Sequence, residues 1–203
     1  MPIIDFNRPL VLATASEARR KLVYDTGLRF TAFSVDVDET PLDGEQVAPY
    51  VERLAKTKAE AANPTSLDAV IVAVDTAIGL DGNIIGKPED EAHARQILRL
   101  LSGRTHEVVS AIALSDIKNA TIDTTVTITE VEFVDLSDQA IEWYIKTKEW
   151  KNRAGAYAIQ GKGAALVLSV RGCFTNVIGI SISTLLEMLK KASSNNTLPF
   201  VRL

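Results

Sequence analysis

Cysteine is nearly absent from this chain: Cys173 stands alone in 203 residues, which excludes an internal disulfide. Histidine is almost as scarce, at two residues, and most zinc cages are excluded with it. Cationic excess is missing too. Lys and Arg total 22 against 26 Asp and Glu, a net charge of −4, so no broad basic field exists to track duplex nucleic acid. No apolar run approaches the ~20 residues needed to span a bilayer. The opening "MPIIDFNRPLVLATAS" places no basic segment ahead of a long apolar core, so no secretory leader is expected. Repeats, linkers and low-complexity stretches are also lacking, apart from a loose "ASSNN" near the end. What is present is ordinary globular composition, 46% hydrophobic and 24% charged. The length suits one generous domain or two small lobes sharing a sheet, and a soluble, cytoplasmic protein is expected.

Hydrophobic patterning alternates helix and strand. "PLVLATA" reads as a short buried strand, and the following "SEARRKLVYDTG" as a helix capped by Ser16 and stopped by Gly27. "RFTAFSV" is expected to be a strand, and Val47 to Ala62 a helix ended by Asn63-Pro64. "AVIVAV" has the continuous apolar character of a strand covered on both faces. Asp81-Gly82 suits a two-residue turn pairing 76–80 with 83–86. Asp90 caps a helix to Leu101, and Ser137 another to about Ile145. "HEVVSAIAL" and "TIDTTVTITEVEFV" are strands. In the second, apolar residues change from even to odd positions, which predicts a bulge near Thr129 or Glu130. "AYAIQGKGAALVLSVRG" is expected to add β structure, and Thr184-x-x-Glu187 to open a last helix. The sum is an α/β fold around a mixed sheet.

Five places carry chemistry. In "LATASEARRK" a strand delivers the chain to a helix N-terminus, which suits an anion, with Ser16, Arg19 and Arg20 alongside; a plain cap with solvated arginines is the blander reading. Lys58 falls on the apolar stripe of Val51, Leu54 and Ala55, either snorkelling or holding a phosphate at a pocket rim. Asp36, Asp38 and Glu39 in "DVDET" repel one another unless solvent or a divalent cation intervenes. Asp75 ends the buried strand where ligands of α/β sheets sit, and Lys87 follows the return arm. Finally, "RAGAYAIQGKGA" offers close backbone approach at its glycines and a donor–acceptor pair at Gln160.

In order and spacing, these pieces resemble the Maf family of nucleoside triphosphate pyrophosphatases from about Leu10 to Leu189. The likeness rests on Ser16 and Arg19, the acidic pair of "DVDET", "ERLAKTKA", "AVDT", "GKP", "LSGRTHEV", "AGAYAIQGKGA" and "NVIGI". It implies one domain over 1–203, with a bent mixed sheet, flanking helices and two lobes around a cleft, similar to inosine triphosphate pyrophosphatases. It implies hydrolysis of nucleoside triphosphates to monophosphate and pyrophosphate with Mg²⁺ or Mn²⁺, often in a homodimer, with no nucleic-acid or membrane partner.

By the same resemblance Asp75 is the general base. Ser16, Arg19, Lys58, Lys87 and Gln160 contact substrate, and Glu39, with Asp38 or Asp75, holds the metal. Members acting on dTTP and UTP carry an arginine two residues after the serine, a threonine after the aspartate and a glutamine in the late loop. Thr76 and Gln160 agree; Ala18 departs, so a pyrimidine preference without strict selectivity is expected. Two rivals stand beside this reading. "DVDET" also matches the D-x-D-x-T nucleophile motif of haloacid-dehalogenase-type phosphatases, with Asp36 as nucleophile. A non-catalytic nucleotide-binding regulator, for instance of cell division, is the other.

Overall fold

A computed structural model describes residue 6 and residues 8–62 and 66–192. Seven strands form one mixed sheet: β1 (Leu10–Ala13), β2 (Thr31–Phe33), β3 (Val70–Leu80), β4 (Asn83–Ile85), β5 (Thr105–Asp116), β6 (Thr121–Phe133) and β7 (Val167–Arg171). Their order is β2-β1-β3-β5-β6-β7, with β4 also on β3. β1 runs parallel to both β2 and β3, and every other pairing is antiparallel. The helices are α1 (Glu17–Asp25), α2 (Val47–Ala61), α3 (Glu91–Leu101), α4 (Asp138–Thr147), α5 (Phe174–Ile178) and α6 (Ile182–Ala192). None of them is long and apolar enough to cross a membrane.

β3 is the spine, and its unbroken apolar run follows from cover on both faces. Val70, Val72 and Val74 pack with Val23 of α1 and Leu185 and Leu189 of α6. Ile71, Ala73 and Ala77 pack on the other side against Val51, Leu54 and Ala55 of α2. Farther along, Ile78 and Leu80 enter a third core with Leu98, Phe133, Tyr144 and Tyr157. Two lobes therefore share the long strands, and β3 passes from one to the other.

The edge of β3 explains the cleft. β1 pairs with it as far as Ala13 opposite Ala73, and β4 pairs only from Ile85 opposite Ile78. Between those contacts, residues 74–77 have no neighbouring strand on that edge, while β5 covers the other. Asp75 and Thr76 sit in this gap, so Asp75 lies in the middle of β3 rather than at the strand end expected from the sequence, and the two side chains are on opposite faces of the sheet.

Most caps are where the sequence puts them. Ser16, Asp90 and Ser137 accept from the N–H groups of Arg19 (3.4 Å), His93 (2.8 Å) and Ala140 (3.2 Å). The β3–β4 turn has φ of 52° at Asp81 and 78° at Gly82, as a type I′ turn demands. Three expectations about the elements need correction. β6 keeps continuous register with β5 through Thr129 and Glu130, and its only irregularity lies at Glu132/Phe133 against β7. The even-to-odd change arises because Ile122 and Val126 pack toward α2 on one face, whereas Val131 and Phe133 pack into the other lobe on the opposite face. Within 154–171 only Val167–Arg171 is strand; Ala154–Ala156 and Gly161–Leu166 are 3₁₀ turns, since positive φ at Gly155, Ala156 and Gly161 breaks extension. The last helix begins a turn early, with Ser181 Oγ accepting from Thr184 N at 3.4 Å, so Thr184 lies inside it. α5, on "FTNVI", has no counterpart among the expected elements. The Asn63-Pro64 stop and the tail from residue 193 lie outside the described residues.

Candidate active site

The open edge of β3 forms the floor of a cleft of about 1100 Å³. Its walls come from the β1–α1 turn, the acidic loop before α2, the β4 arm, the 149–161 segment and the α5–α6 connection. Asp75, Ser16, Ala18, Arg19, Glu39, Lys58, Thr76, Lys87 and Gln160 all line it.

On the α2 face, Lys58 is only 8% exposed and does not snorkel to solvent. Its Nζ donates to Asp75 Oδ1 at 2.5 Å and to Glu39 Oε1 at 2.6 Å. Its place in the last turn of α2 puts the ammonium at the negative end of the helix dipole. Lys87 donates to Glu39 Oε2 at 3.0 Å, so one carboxylate links the two lysines. Tyr50 of α2 donates to the Glu39 carbonyl at 2.8 Å, and Arg53 holds Glu45 and the Thr40 carbonyl, fastening the acidic loop to the helix. Burial raises the carboxyl pKa of Asp75 above its ordinary value, and Lys58 pulls the other way without reversing it. At Glu39 burial is also the largest influence, but hydrogen bonds from Lys58 and Lys87 together outweigh it and bring the group to about 2. Two carboxylates a few ångströms apart thus have opposite acidities.

On the other face, Arg19 Nε donates to the Gly179 carbonyl at 2.8 Å and Arg19 Nη2 to Thr76 Oγ1 at 2.9 Å. Thr76 Oγ1 also lies 2.9 Å from Ser110 Oγ and 3.1 Å from the Gly179 carbonyl. The threonine hydroxyl is therefore occupied in fixing the arginine. Sequence reasoning missed Ser110 and Gly179, whose part appears only once β5 and the α5–α6 link pack here. The late loop hangs from α4: Tyr144 Oη accepts from Ala158 N at 3.1 Å, and Glu149 Oε2 from Lys162 N at 2.9 Å. A Cβ on Gly163 would collide with the Ala158 carbonyl, so glycine there is a packing requirement. This anchors the segment presenting Gln160; Lys151 and Arg153, cleft residues that sequence reasoning did not single out, precede it.

Asp38 and Asp36 do not join. Asp38 is exposed and outside the lining, its Oδ1 turned back to accept from Thr40 N at 2.9 Å, so the candidate metal set loses it. Asp36 is exposed and outside the lining too, so a reading with Asp36 as nucleophile is not favoured. Among the described residues no group of three or more His, Cys, Asp or Glu side chains could cage a metal. Glu39 and Asp75 nonetheless converge on a single cation, the Lys58 ammonium. That donor set fits Mg²⁺ or Mn²⁺, because a hard cation held by one or two carboxylates is completed by phosphate oxygens and water.

Comparison with known proteins agrees with the geometry. The Maf-like protein family model matches residues 9–192. The chain is 40% identical over 187 residues to a protein of Clostridioides difficile (strain 630), covering 92% of this chain and 96% of that one. It is 41% identical over 183 residues to one of Myxococcus xanthus (strain DK1622), with 90% and 92% covered. A protein of Acinetobacter baylyi is 40% identical over 185 residues, with 91% and 100% covered. Each of the three is named dTTP/UTP pyrophosphatase. This chain belongs to the Maf family.

Proposed function

We propose that this protein hydrolyses nucleoside triphosphates to nucleoside monophosphate and pyrophosphate, with UTP and dTTP foremost. The observation carrying the reading is the position of Asp75: a buried carboxylate of raised pKa at the open edge of β3, beside a lysine that can turn from carboxylate to phosphate. The relatives named above, two-fifths identical along nearly the whole chain, support the choice of reaction and of pyrimidine triphosphates.

Asp75 orients a water toward the α-phosphorus and takes its proton, a contribution of ~10²–10⁴-fold for a placed general base. Lys58, Lys87 and Arg19 bind the phosphate oxygens and offset their charge. A divalent cation held by Glu39 and Asp75 would supply further charge neutralisation on the phosphates. Ser16 offers its hydroxyl at the N-terminus of α1, and Gln160 meets the nucleobase edge. A cytoplasmic homodimer completes the proposal, following the family resemblance. A non-catalytic regulator is disfavoured because the base and its cations are all retained in the cleft.

The deciding experiment is product identity across the common triphosphates with Mg²⁺ or Mn²⁺. Pyrophosphate and monophosphate in equal amounts are expected, with Asp36→Asn at wild-type rate. Orthophosphate release, or complete loss in Asp36→Asn, would sink the proposal.

A further inference from the structure

Five cations line the cleft, Arg19, Lys58, Lys87, Lys151 and Arg153, against four carboxylates, Glu17, Glu39, Asp75 and Glu149. Lys58 and Lys87 are engaged by Asp75 and Glu39. Arg19 spends its hydrogen bonds on neutral acceptors, the Gly179 carbonyl and the Thr76 hydroxyl. Arg153 is half-buried in the opposite wall, and its guanidinium is paired with no carboxylate among the described residues. The two guanidiniums feel each other: after burial and the opposing pull of Asp75 and Glu39, the charge of Arg153 is a further influence lowering the Arg19 pKa. Like charges held this way are stabilised when an anion lies between them.

The backbone fixes where that anion belongs. Arg153 N donates to the Trp150 carbonyl at 3.3 Å, and the Arg153 carbonyl accepts from Ala156 N at 3.1 Å, closing a tight turn. Gly155 N then donates to the Gly86 carbonyl at 3.1 Å. This bond ties the turn to the residue preceding Lys87, so Arg153 and Lys87 line the cleft from two segments joined to each other. Gly155 has φ of 70°, and a Cβ there would meet Ile78 Cγ1 at 2.9 Å, so the turn is held close against β3. Gln160 is fixed separately, by the anchoring of its loop on Glu149 and Tyr144. A neutral base would leave the charge of the guanidinium unbalanced, whereas phosphate oxygens both match its fork and offset its charge.

We propose that Arg153 is a substrate-binding residue for the β- and γ-phosphates, closing with Lys87 around the pyrophosphate leaving group. This rests on the triphosphate hydrolysis proposed above. As water adds to the α-phosphorus, the bond to the bridging oxygen breaks and its electron pair departs with pyrophosphate. The water proton goes to Asp75, and Arg153 hydrogen bonds meet the charge that develops on the departing group.

The test is titration calorimetry of the intact protein with inorganic pyrophosphate and, separately, UMP, both with Mg²⁺, beside steady-state kinetics. Arg153→Ala should weaken pyrophosphate binding about tenfold or more and leave UMP within about twofold, with Arg153→Lys recovering part of the loss. Because the guanidinium has no side-chain partner among the described residues to strand, the variant should melt with the wild type; Arg153→Gln repeats the test should alanine fail to fold. Unchanged pyrophosphate affinity, or equal weakening of both ligands, overturns the assignment. Orthophosphate as the wild-type product would instead overturn the reaction, while the two titrations still report whether Arg153 holds a pyrophosphate.

Discussion

Lys58 and Asp75 form a 2.5 Å ion pair between the last turn of α2 and the middle of β3, both almost wholly buried. Burial disfavours the aspartate anion, and the ammonium restores much of what burial takes away. A phosphate or a divalent cation arriving in the cleft competes for one member of the pair. In the proposed reaction the base is thus shielded by its lysine until substrate draws that lysine aside.

One consequence is a displaced acid limb in the pH profile. As the proposed base, Asp75 can take a proton only when ionised, and its folded-state pKa is raised above the ordinary 3.8. In the free protein kcat/KM should therefore fall on acidification at a pH above that value. Glu39, held at about 2, stays charged across the window and contributes no limb. The stability signs are opposite: the Asp75 contribution is fully present below 3.8 and lost as pH rises through its raised value. The Glu39 contribution is present above 4.5 and lost as pH falls toward about 2. Asp75→Asn should lower kcat by ~10²–10⁴-fold at nearly constant volume and leave the residual rate without the acid limb. A variant with near-wild-type kcat in saturating metal would refute the base assignment.

The site was legible from the sequence wherever local pattern and chemistry coincide, and illegible where tertiary partners decide. Asp75 announces itself as one charge at the end of an apolar run, and Lys58 as a cation on an apolar stripe. Nothing local says that Thr76 is occupied by Arg19, 57 residues away. Arg153 opens the very segment whose glycines draw the eye, yet its meaning comes from Gly155 meeting Gly86. The slip in β6 looks like a bulge because periodicity reports which face is covered, and cover changes sides along that strand. Thr184-x-x-Glu187 reads as a capping box, but the backbone enters the helix one turn earlier, at Ser181.

Removing the ammonium should cost activity first and be partly reversible in stability. Lys58→Ala leaves Asp75 and Glu39 facing each other without their shared donor, a loss typically worth about 3–5 kcal/mol for a buried pair when no proton or ion replaces it. Mg²⁺ or Mn²⁺ offers such a replacement. Melting temperatures with and without Mg²⁺ should show a larger metal-induced rise in the variant than in the wild type, while kcat/KM stays low in both conditions. In wild-type protein, chelation should abolish turnover and added Mg²⁺ restore it. A variant with unchanged kcat/KM and a large, metal-insensitive melting loss would reduce Lys58 to a packing residue.

Thr76 should act through Arg19 rather than through the base. Its hydroxyl is surrounded by Arg19 Nη2, Ser110 Oγ and the Gly179 carbonyl, all within 3.1 Å. Thr76→Val preserves shape but removes the acceptor, at about 1–3 kcal/mol for an orphaned charged donor. Kinetics across UTP, dTTP, CTP, ATP and GTP should show a uniform fall in kcat/KM of roughly tenfold or more, with the ranking of bases unchanged. A fall confined to the pyrimidines would mean that the hydroxyl leaves this network to read the base.

Ala18 is the position where selectivity should be adjustable. It lies in the first turn of α1, lines the cleft, and adjoins Arg19, whose own guanidinium is turned to Gly179 and Thr76. An alanine there offers neither a hydrogen bond nor a stacking plane, so discrimination of bases falls mainly to Gln160. The native protein should hydrolyse UTP and dTTP together with an appreciable rate on at least one other triphosphate. Ala18→Arg introduces a planar fork with room to reach the nucleotide from the helix start. One charge-assisted hydrogen bond gained to the preferred bases would widen the gap by about 1.5–3 kcal/mol, roughly tenfold or more in relative kcat/KM. The helix tolerates this change poorly at its positive end, so melting should drop slightly while selectivity rises, a combination that general damage does not produce. A native enzyme that already rejects everything except UTP and dTTP would show that another residue makes the contact Ala18 lacks.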